Sequence, residues 1–475
     1  MSKILFLVAK LHTIEPFGVM SLAPHLKRDG HDVKLMEAED PDLFSKVRAF
    51  GPDVIGYSVC TGSDTYYLAV NRCLKRQLRF VAVFGGPHPT FFPEMIREPG
   101  VDAICRGEGD LAFADFCREL DRTGCVRAVP NFTIRVGDAV ESSPPRPLVA
   151  DLDSLPPPDR ELYYGVSPEI GDHRIRSFLA SRGCPFGCTY CFNGAMDAMY
   201  DGTWTRVRLR SPRSLVDEIA SVVQSYPAEF LAFRESIFPL KVEWLTEFAD
   251  LYSRRVGLPF YCHLRLDLLN DWNVPLLARA GCYSVNVGIE AGNESVRRNL
   301  LARNISNDRM IAACRLLRSH GIKILANNML GLPGCTFRHD LETLRLNQQC
   351  KPDYALAMLW QPYPGTQLAN YARRHGHYRG DYRDLDFTYY GKSHLTFATE
   401  REKRRIENLQ KLFAIAAAVP WLTPLVRWLT RLPPNRIFRT IFRTAYLIFH
   451  QTELFPHKTT PADWVRNLRH VAQGE

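Results

Sequence analysis

Cys184, Cys188 and Cys191 stand at C-x3-C-x2-C spacing within the run Ser181-Arg-Gly-Cys-Pro-Phe-Gly-Cys-Thr-Tyr-Cys-Phe-Asn193. Thiolates are soft ligands, and a short loop rich in glycine and proline lets each sulfur turn inward toward its own corner of an iron–sulfur cube. Three local ligands leave a fourth iron open, which suits catalysis better than simple electron carriage. Zinc is the competing use of clustered cysteines. It asks for four ligands closing a tetrahedron, commonly two C-x-x-C pairs or cysteines paired with histidines, and no second pair follows at a suitable distance.

The loop resembles the cluster loop of the radical S-adenosylmethionine enzymes. The resemblance implies that the open iron chelates the amino and carboxylate groups of S-adenosylmethionine, and that Phe192 lies beside the adenine. It also assigns residues farther along. Glu290, in Val287-Gly-Ile-Glu-Ala-Gly-Asn-Glu294, matches a ribose-contacting position, although a carboxylate there could equally cap the following helix. Arg265 is placed to engage the methionyl carboxylate with its guanidinium fork. Glu235, in Phe233-Arg-Glu-Ser-Ile-Phe238, is the candidate for the methionyl ammonium. The family often has two aspartates in that stretch, and Arg234 would bring opposite charge. Cys335 stands where the family usually has Glu, and is either a hydrogen-atom or proton donor or a small packed residue. Leu330-Gly-Leu-Pro-Gly334 and Gln361-Pro-Tyr-Pro-Gly-Thr366 match turns that shape the adenosine and substrate pockets.

These residues need a scaffold. Strand-like runs at 176–180, 230–233, 260–263, 284–288, 323–327 and 354–359 alternate with helical stretches. They predict six βα units, a partial (β/α)6 TIM-type barrel with the candidate residues at its strand ends. Ser211 is the expected N-cap of the helix that begins at Pro212.

Upstream, runs at 3–8, 32–36, 52–59, 80–86 and 102–105 predict a doubly wound, Rossmann- or flavodoxin-like parallel sheet, which binds ligands beyond its carboxyl ends. Those ends carry Ser58, Thr61 and Gly62, then Gly85, Gly86 and His88, then Gly107, Glu108 and Gly109. Glycines there are expected to let a large flat ligand approach the backbone. Leu22-Ala-Pro-His-Leu-Lys-Arg-Asp-Gly-His31, Gly85-Gly-Pro-His-Pro-Thr90 and the stretch from Asp102 to Asp110 resemble the cobalamin-binding domain that precedes the cluster loop in one class of these enzymes. The chain has no D-x-H-x-x-G motif, so the resemblance implies cobalamin held without a histidine ligand; His12 is read as a loop histidine. An empty flavodoxin-like scaffold is the plain alternative.

The expected organisation is a cobalamin-binding domain over 1–135, a proline-rich linker over 136–169, the barrel over 170–385 and a helical C-terminal region over 386–475. Thirteen cysteines at irregular spacing, with a first apolar run too short for a secretory signal, predict reduced thiols and a cytoplasmic setting. The net charge of +9 has arginines crowded after residue 400. They belong either to solvated helix faces or to an anionic surface, and no nucleic-acid motif accompanies them. Arg401 to Leu412 reads as an exposed charged helix. Arginines 427 to 443 alternate with aromatic and aliphatic residues, either as a helix packed across the barrel opening or as one lying on a membrane.

Together the resemblances imply a cobalamin-dependent radical S-adenosylmethionine enzyme with a [4Fe–4S] cluster, S-adenosylmethionine and cobalamin, reduced by an external flavodoxin or ferredoxin. The expected reaction is methylation of an unactivated carbon or phosphorus in a small or lipid-like substrate. Radical ring formation, oxidation or rearrangement is the alternative, and a non-catalytic cobalamin-responsive module a third reading.

Overall fold

Five apolar runs in the first third of the chain lie side by side in the computed structural model, which describes residues 1–11, 15–382, 385 and 388–449. His12 and the chain beyond 449 lie outside the described residues. Strands β1 (Lys3–Val8), β2 (Asp32–Glu37), β3 (Val54–Ser58), β4 (Val81–Gly85) and β5 (Ala103–Cys105) are parallel, in the order β2-β1-β3-β4-β5. The connecting helices are α1 (Phe17–Arg28), α2 (Leu43–Phe50), α3 (Asp64–Lys75), α4 (Pro87–Phe91) and α5 (Asp110–Thr123). They bury β1, β3 and β4 on both faces, which is why those strands read as continuous apolar runs.

The sheet continues where an extended connector was expected. Strands β6 (Phe132–Val136) and β7 (Ala139–Ser142) pair antiparallel and extend it beyond β5. Gly137 turns this hairpin with φ +61°, a left-handed conformation that a glycine–aspartate pair tolerates. The prolines that follow do exclude long elements, but two short helices form, α6 (Arg160–Tyr164) and α7 (Pro168–Gly171). Asp159 and Ser167 cap them, accepting from the backbone N–H groups of Leu162 and Ile170.

The chain divides into two units. The first comprises Met1–His173, Ala195–Trp204 and Ser225–Pro227; the second comprises Arg174–Gly194, Thr205–Gln224 and the described residues from Ala228 onward. In the second, β8 (Ile175–Phe178) leads to a short antiparallel pair, β9 (Ser181–Arg182) with β10 (Arg208–Leu209). Helix α8 (Asn193–Met199) comes next in the chain but belongs from Ala195 onward to the first unit; α9 (Pro212–Ser225) follows in the second, and Ser211 accepts from the Ser214 N–H as expected for an N-cap. The strands β11 (Phe230–Phe233), β12 (Phe260–Leu264), β13 (Cys282–Glu290), β14 (Lys323–Leu330) and β15 (Tyr354–Leu359) join β8 in a parallel sheet of six, in chain order. Helices α10 (Val242–Arg255), α11 (Asn273–Ala280), α12 (Asn307–Ser319) and α13 (Phe337–Cys350) alternate with them, and α14 (Gln367–Arg374) follows the last. Asn328 on β14 and Asn347 on α13 exchange amide hydrogen bonds of 2.6 and 3.1 Å in the core, fixing one register of helix on sheet.

The tail differs from its sequence reading. Helix α15 (Glu400–Ala418) is charged at its start, yet from Ile406 onward it is mostly buried against β15 and α13. Helix α16 (Thr423–Leu429) is short. On helix α17 (Arg436–Phe449) the aromatic face is buried: Phe442, Tyr446 and Phe449 pack on the sheet face carrying Tyr261, Tyr354 and Leu356, and Phe449 stacks on Tyr354 at 4.4 Å. β15 alternates, so Ala355 and Ala357 point instead to α13 and α15, and α17 covers the opposite face. Packing, not a membrane, takes that helix's aromatic side chains.

Candidate active site

The loop after β8 carries the three cysteines. Cys184 and Cys188 are buried and Cys191 is half-buried. Burial pushes the Cys184 thiol above its ordinary value and that of Cys191 up to about 11, so these groups ionise when a cation draws the proton off. Two donors already face the sulfurs. Asn193 Nδ2 donates to Cys191 Sγ at 3.3 Å, and Arg265 Nη1 to Cys188 Sγ at 3.5 Å. Hydrogen bonds of this kind tune cluster thiolates. Among the described residues no three His, Cys, Asp or Glu close on a single ion. A cube asks for something else, three sulfurs set apart with one on each iron, and the donor set of this loop fits it.

The strand ends bring further polar groups together. Glu290 closes β13 in the left-handed region, φ +65°, an unfavourable conformation for a non-glycine residue and one that recurs at functional sites. Its carboxylate accepts from Tyr190 Oη at 3.1 Å and lies 3.7 Å from Arg303 Nη1, which in turn donates to Tyr190 Oη at 3.0 Å. Arg303 also donates to the Gly288 carbonyl at 2.8 Å. Burial raises the Glu290 pKa while Arg303 and Tyr190 oppose the rise. A Cβ at Gly288 would stand 2.1 Å from the Glu290 carboxylate, so only glycine leaves room for it. Tyr190 and Arg303 were not singled out from sequence. Tyr190 sits inside the cysteine run itself, between two of the three thiols, which was the available signal; Arg303 left none.

Glu235, just beyond β11, is fully enclosed. Its Oε2 accepts from the Ala180 N–H at 3.3 Å, and its Oε1 has no hydrogen-bond partner among the described residues. Burial lifts its pKa to about 8. Arg234 does not oppose it. Successive residues point to opposite sides, and Arg234 turns to Ser177 and the Tyr261 ring. Arg265 lies against the cluster loop, its guanidinium 3.6 Å above the Phe186 ring. Its fork was expected to be open for a carboxylate, but Asp267 occupies it with two bonds of 3.0 and 2.8 Å, the shape match being as good within the chain as with a ligand. Phe192 is 45% exposed beside the third cysteine. Cys335 packs in the apolar cluster of Leu332, Tyr371 and Phe397, its thiol pushed up to about 12 by burial. That placement supports a packing residue and gives no acidic proton to donate.

In the first unit the candidate residues follow three adjacent parallel strands and so share one rim. Ser58, Thr61 and Gly62 are part-exposed there, and the Gly62 N–H donates to Asp64 Oδ1 at 3.0 Å. The glycines after β4 and β5 have a different task from the one expected. A Cβ at Gly86 would meet the Val59 carbonyl at 2.9 Å, and one at Gly107 would meet Tyr200 Oη at 2.0 Å. The close approach is made by protein, and Tyr200 Oη accepts the Glu108 N–H at 2.9 Å. A Cβ at Gly85 would make ordinary contacts with Cys105 and Tyr57, and one at Gly109 would press on Leu22 at 3.3 Å. His88 is pinned, 3.3 Å from Thr61 Oγ1, 3.8 Å from Asp64 and stacked on Phe92 at 4.4 Å, with burial lowering its pKa. It ties two rim loops together and is not presented as a metal ligand.

Comparison with known proteins agrees with both halves. The B12 binding domain family matches residues 4–116, and the radical SAM superfamily matches residues 178–346. An uncharacterised methyltransferase of Pyrococcus horikoshii is 27% identical over 75% of this chain and 78% of its own. The anaerobic magnesium-protoporphyrin IX monomethyl ester cyclase of Synechocystis is 25% identical over 90% of this chain and 85% of its own. Among solved structures, the radical S-adenosylmethionine methyltransferase TsrM of Kitasatospora setae, bound to tryptophan and an S-adenosylmethionine analogue, superposes with a TM-score of 0.66 at 17% identity, covering 80% of this chain and 78% of that one. With a cobalamin-binding sheet, a three-cysteine loop at the mouth of a six-stranded partial barrel and both family matches in that order, the chain belongs to the radical S-adenosylmethionine enzymes that carry an N-terminal cobalamin-binding domain.

Proposed function

We propose that the protein is a cobalamin-dependent methyltransferase acting on an unactivated carbon or phosphorus of a small-molecule substrate. The observation that carries this is the pairing of a three-cysteine loop with a cobalamin-binding domain on one chain, supported by 27% identity to an uncharacterised methyltransferase of Pyrococcus horikoshii. When bound, the cluster and S-adenosylmethionine supply a 5′-deoxyadenosyl radical and cobalamin supplies a transferable methyl group.

The chain's own residues bind and orient. Cys184, Cys188 and Cys191 hold the cluster, while Asn193 and Arg265 direct N–H groups at two of the sulfurs. The Tyr190–Glu290–Arg303 triad locks the cluster loop to the end of β13 and holds a carboxylate oriented for ribose hydroxyls. Phe192 offers the stacking face for adenine, and Glu235 a buried carboxyl with an open oxygen for an amino group. Ser58, Thr61 and Gly62 line the rim for cobalamin. An external flavodoxin- or ferredoxin-type protein supplies the electron. No described helix is long and apolar enough to cross a membrane. The exposed face of Trp421, Leu425 and Trp428, with spacing of one helical stripe, suits peripheral contact with a bilayer and would fit a lipid-like substrate.

The test is an anaerobic reaction of cluster- and cobalamin-loaded protein with methyl-deuterated S-adenosylmethionine, strong reductant and a metabolite extract. A metabolite that gains the labelled methyl, with S-adenosylhomocysteine and 5′-deoxyadenosine both released, is expected. Deoxyadenosine without homocysteine product or label transfer would favour the cyclase-type outcome seen in the name of the Synechocystis relative.

A further inference from the structure

Two of the arginines that follow residue 400, Arg405 and Arg427, face a common cleft with two from α13. The first turns of α13 and α15, with α16, enclose an open cleft of about 530 Å3 whose walls carry Arg338, Arg345, Arg405 and Arg427 against one carboxylate, Glu402. That carboxylate is engaged, since its Oε1 accepts the Phe337 N–H at 3.1 Å. Arg338 pairs outside the cleft lining, with Glu342 at 3.5 Å. Arg345, Arg405 and Arg427 have no ion-pair partner among the described residues. Arg405 is the most constrained of them. Its guanidinium lies 3.9 Å over the Phe337 ring, and its Nε is sealed from water with no acceptor among the described residues. Burial lowers its pKa, and the charges of Arg431, Arg401 and Arg427 lower it further. An anion placed among these guanidinium groups would offset their mutual repulsion and accept from the unsatisfied donor.

We propose that this cleft is a binding site for a phosphate-bearing anion, distinct from the radical site and independent of the methyl-transfer reading. Guanidinium forks match phosphate oxygens bidentately, and the N-terminal end of α13 adds partial positive charge at the same wall. The volume suits a group the size of a diphosphate or a phospholipid headgroup. Trp428 and Leu425 are exposed on the helix that supplies Arg427, so a bilayer could present the phosphate there; a free diphosphate ester would reach the same arginines from solution.

The full-length protein and the double variant Arg345→Gln/Arg427→Gln, both positions being exposed, are titrated with pyrophosphate and with vesicles of phosphatidylcholine alone or mixed with phosphatidylglycerol. Saturable pyrophosphate binding that weakens about tenfold or more in the double variant, with unchanged melting temperature, supports the site with a soluble ligand. Binding only to phosphatidylglycerol vesicles, weakened by the double variant and by Trp428→Ala, supports it with a lipid source. Binding of neither probe at physiological ionic strength, or equal binding by wild type and double variant, overturns the proposal. Cleavage of S-adenosylmethionine by the double variant reports separately on the radical site and is expected to be unchanged.

Discussion

Glu235 shows how one enclosed side chain sets a measurable property. Its ordinary pKa of 4.5 rises to about 8 because burial disfavours the carboxylate more than the backbone N–H groups of Glu235 itself and Ala180 favour it. Between those two values the folded chain holds a proton that the unfolded chain releases. Stability from this group is therefore fully present below about pH 4.5 and declines as the pH rises through about 8. Glu235→Gln keeps the shape and removes the titration. The variant should be more stable than wild type at about pH 9 by a few kcal/mol and nearly equal at about pH 5, measured by urea unfolding of the cofactor-free protein. Asp340, lifted to about 7 by its own burial, keeps part of the slope in place. An equal difference at both pH values would show that Glu235 is not a buried acid. Residues with chemistry in a motif were legible before the fold was known: the three cysteines and Glu290 were all placed at strand ends by their local runs. Tyr190 and Arg303 were not, because a residue's value as a bridge depends on which distant strand its loop meets, and local spacing carries no record of that.

Elements were legible where burial is symmetric and illegible where it is one-sided. All six barrel strands announced themselves as apolar runs. Helix α15 did not, since its charged start hides a polar but buried interior: Asn408, Gln410 and Lys411 are all enclosed. Gln410 explains why polar residues are kept there. β15 is the last strand of its sheet, and such an edge exposes unpaired backbone groups that invite association. Gln410 Nε2 donates to the Ala357 carbonyl at 2.9 Å, and Tyr389 accepts the Leu359 N–H at 3.0 Å, so the outer edge of β15 is covered by the tail. Gln410→Leu should fill the same space while leaving a buried carbonyl without a donor, a loss of about 1–3 kcal/mol. Chemical denaturation measures it, and light scattering should show concentration-dependent association that wild type lacks. A neutral substitution would mean that water reaches Ala357 and that α15 is not the edge cover.

At the scale of the whole chain, sequence order and physical units do not coincide. Ala195–Trp204 follows the cluster loop directly and lies wholly within the radical SAM family match, yet it packs with the first unit. Met196, Tyr200 and Trp204 form a buried cluster with Phe91 and Leu148, and Tyr200 also fills the space over Gly107. A boundary drawn from composition at residue 135 cannot foresee this, because composition changes along the chain whereas the unit is completed by a segment that returns some sixty residues later. The consequence is thermodynamic. Trp204 is 9% exposed and its ring stacks on Tyr200 at 5.9 Å, so truncating a side chain of that size should remove about 3–5 kcal/mol. The loss belongs to the cobalamin-binding unit even though the residue lies in the radical SAM portion of the sequence. Two compact units are expected to give two calorimetric transitions in the cofactor-free protein, since each has its own core. Cobalamin, which binds the first unit, should identify that unit's transition by raising it. Trp204→Ala should lower the cobalamin-sensitive transition and weaken cobalamin binding, while the other transition stays within about a degree of wild type. A variant that lowers only the cobalamin-insensitive transition would place Trp204 with the barrel and dissolve the assignment of 195–204 to the first unit.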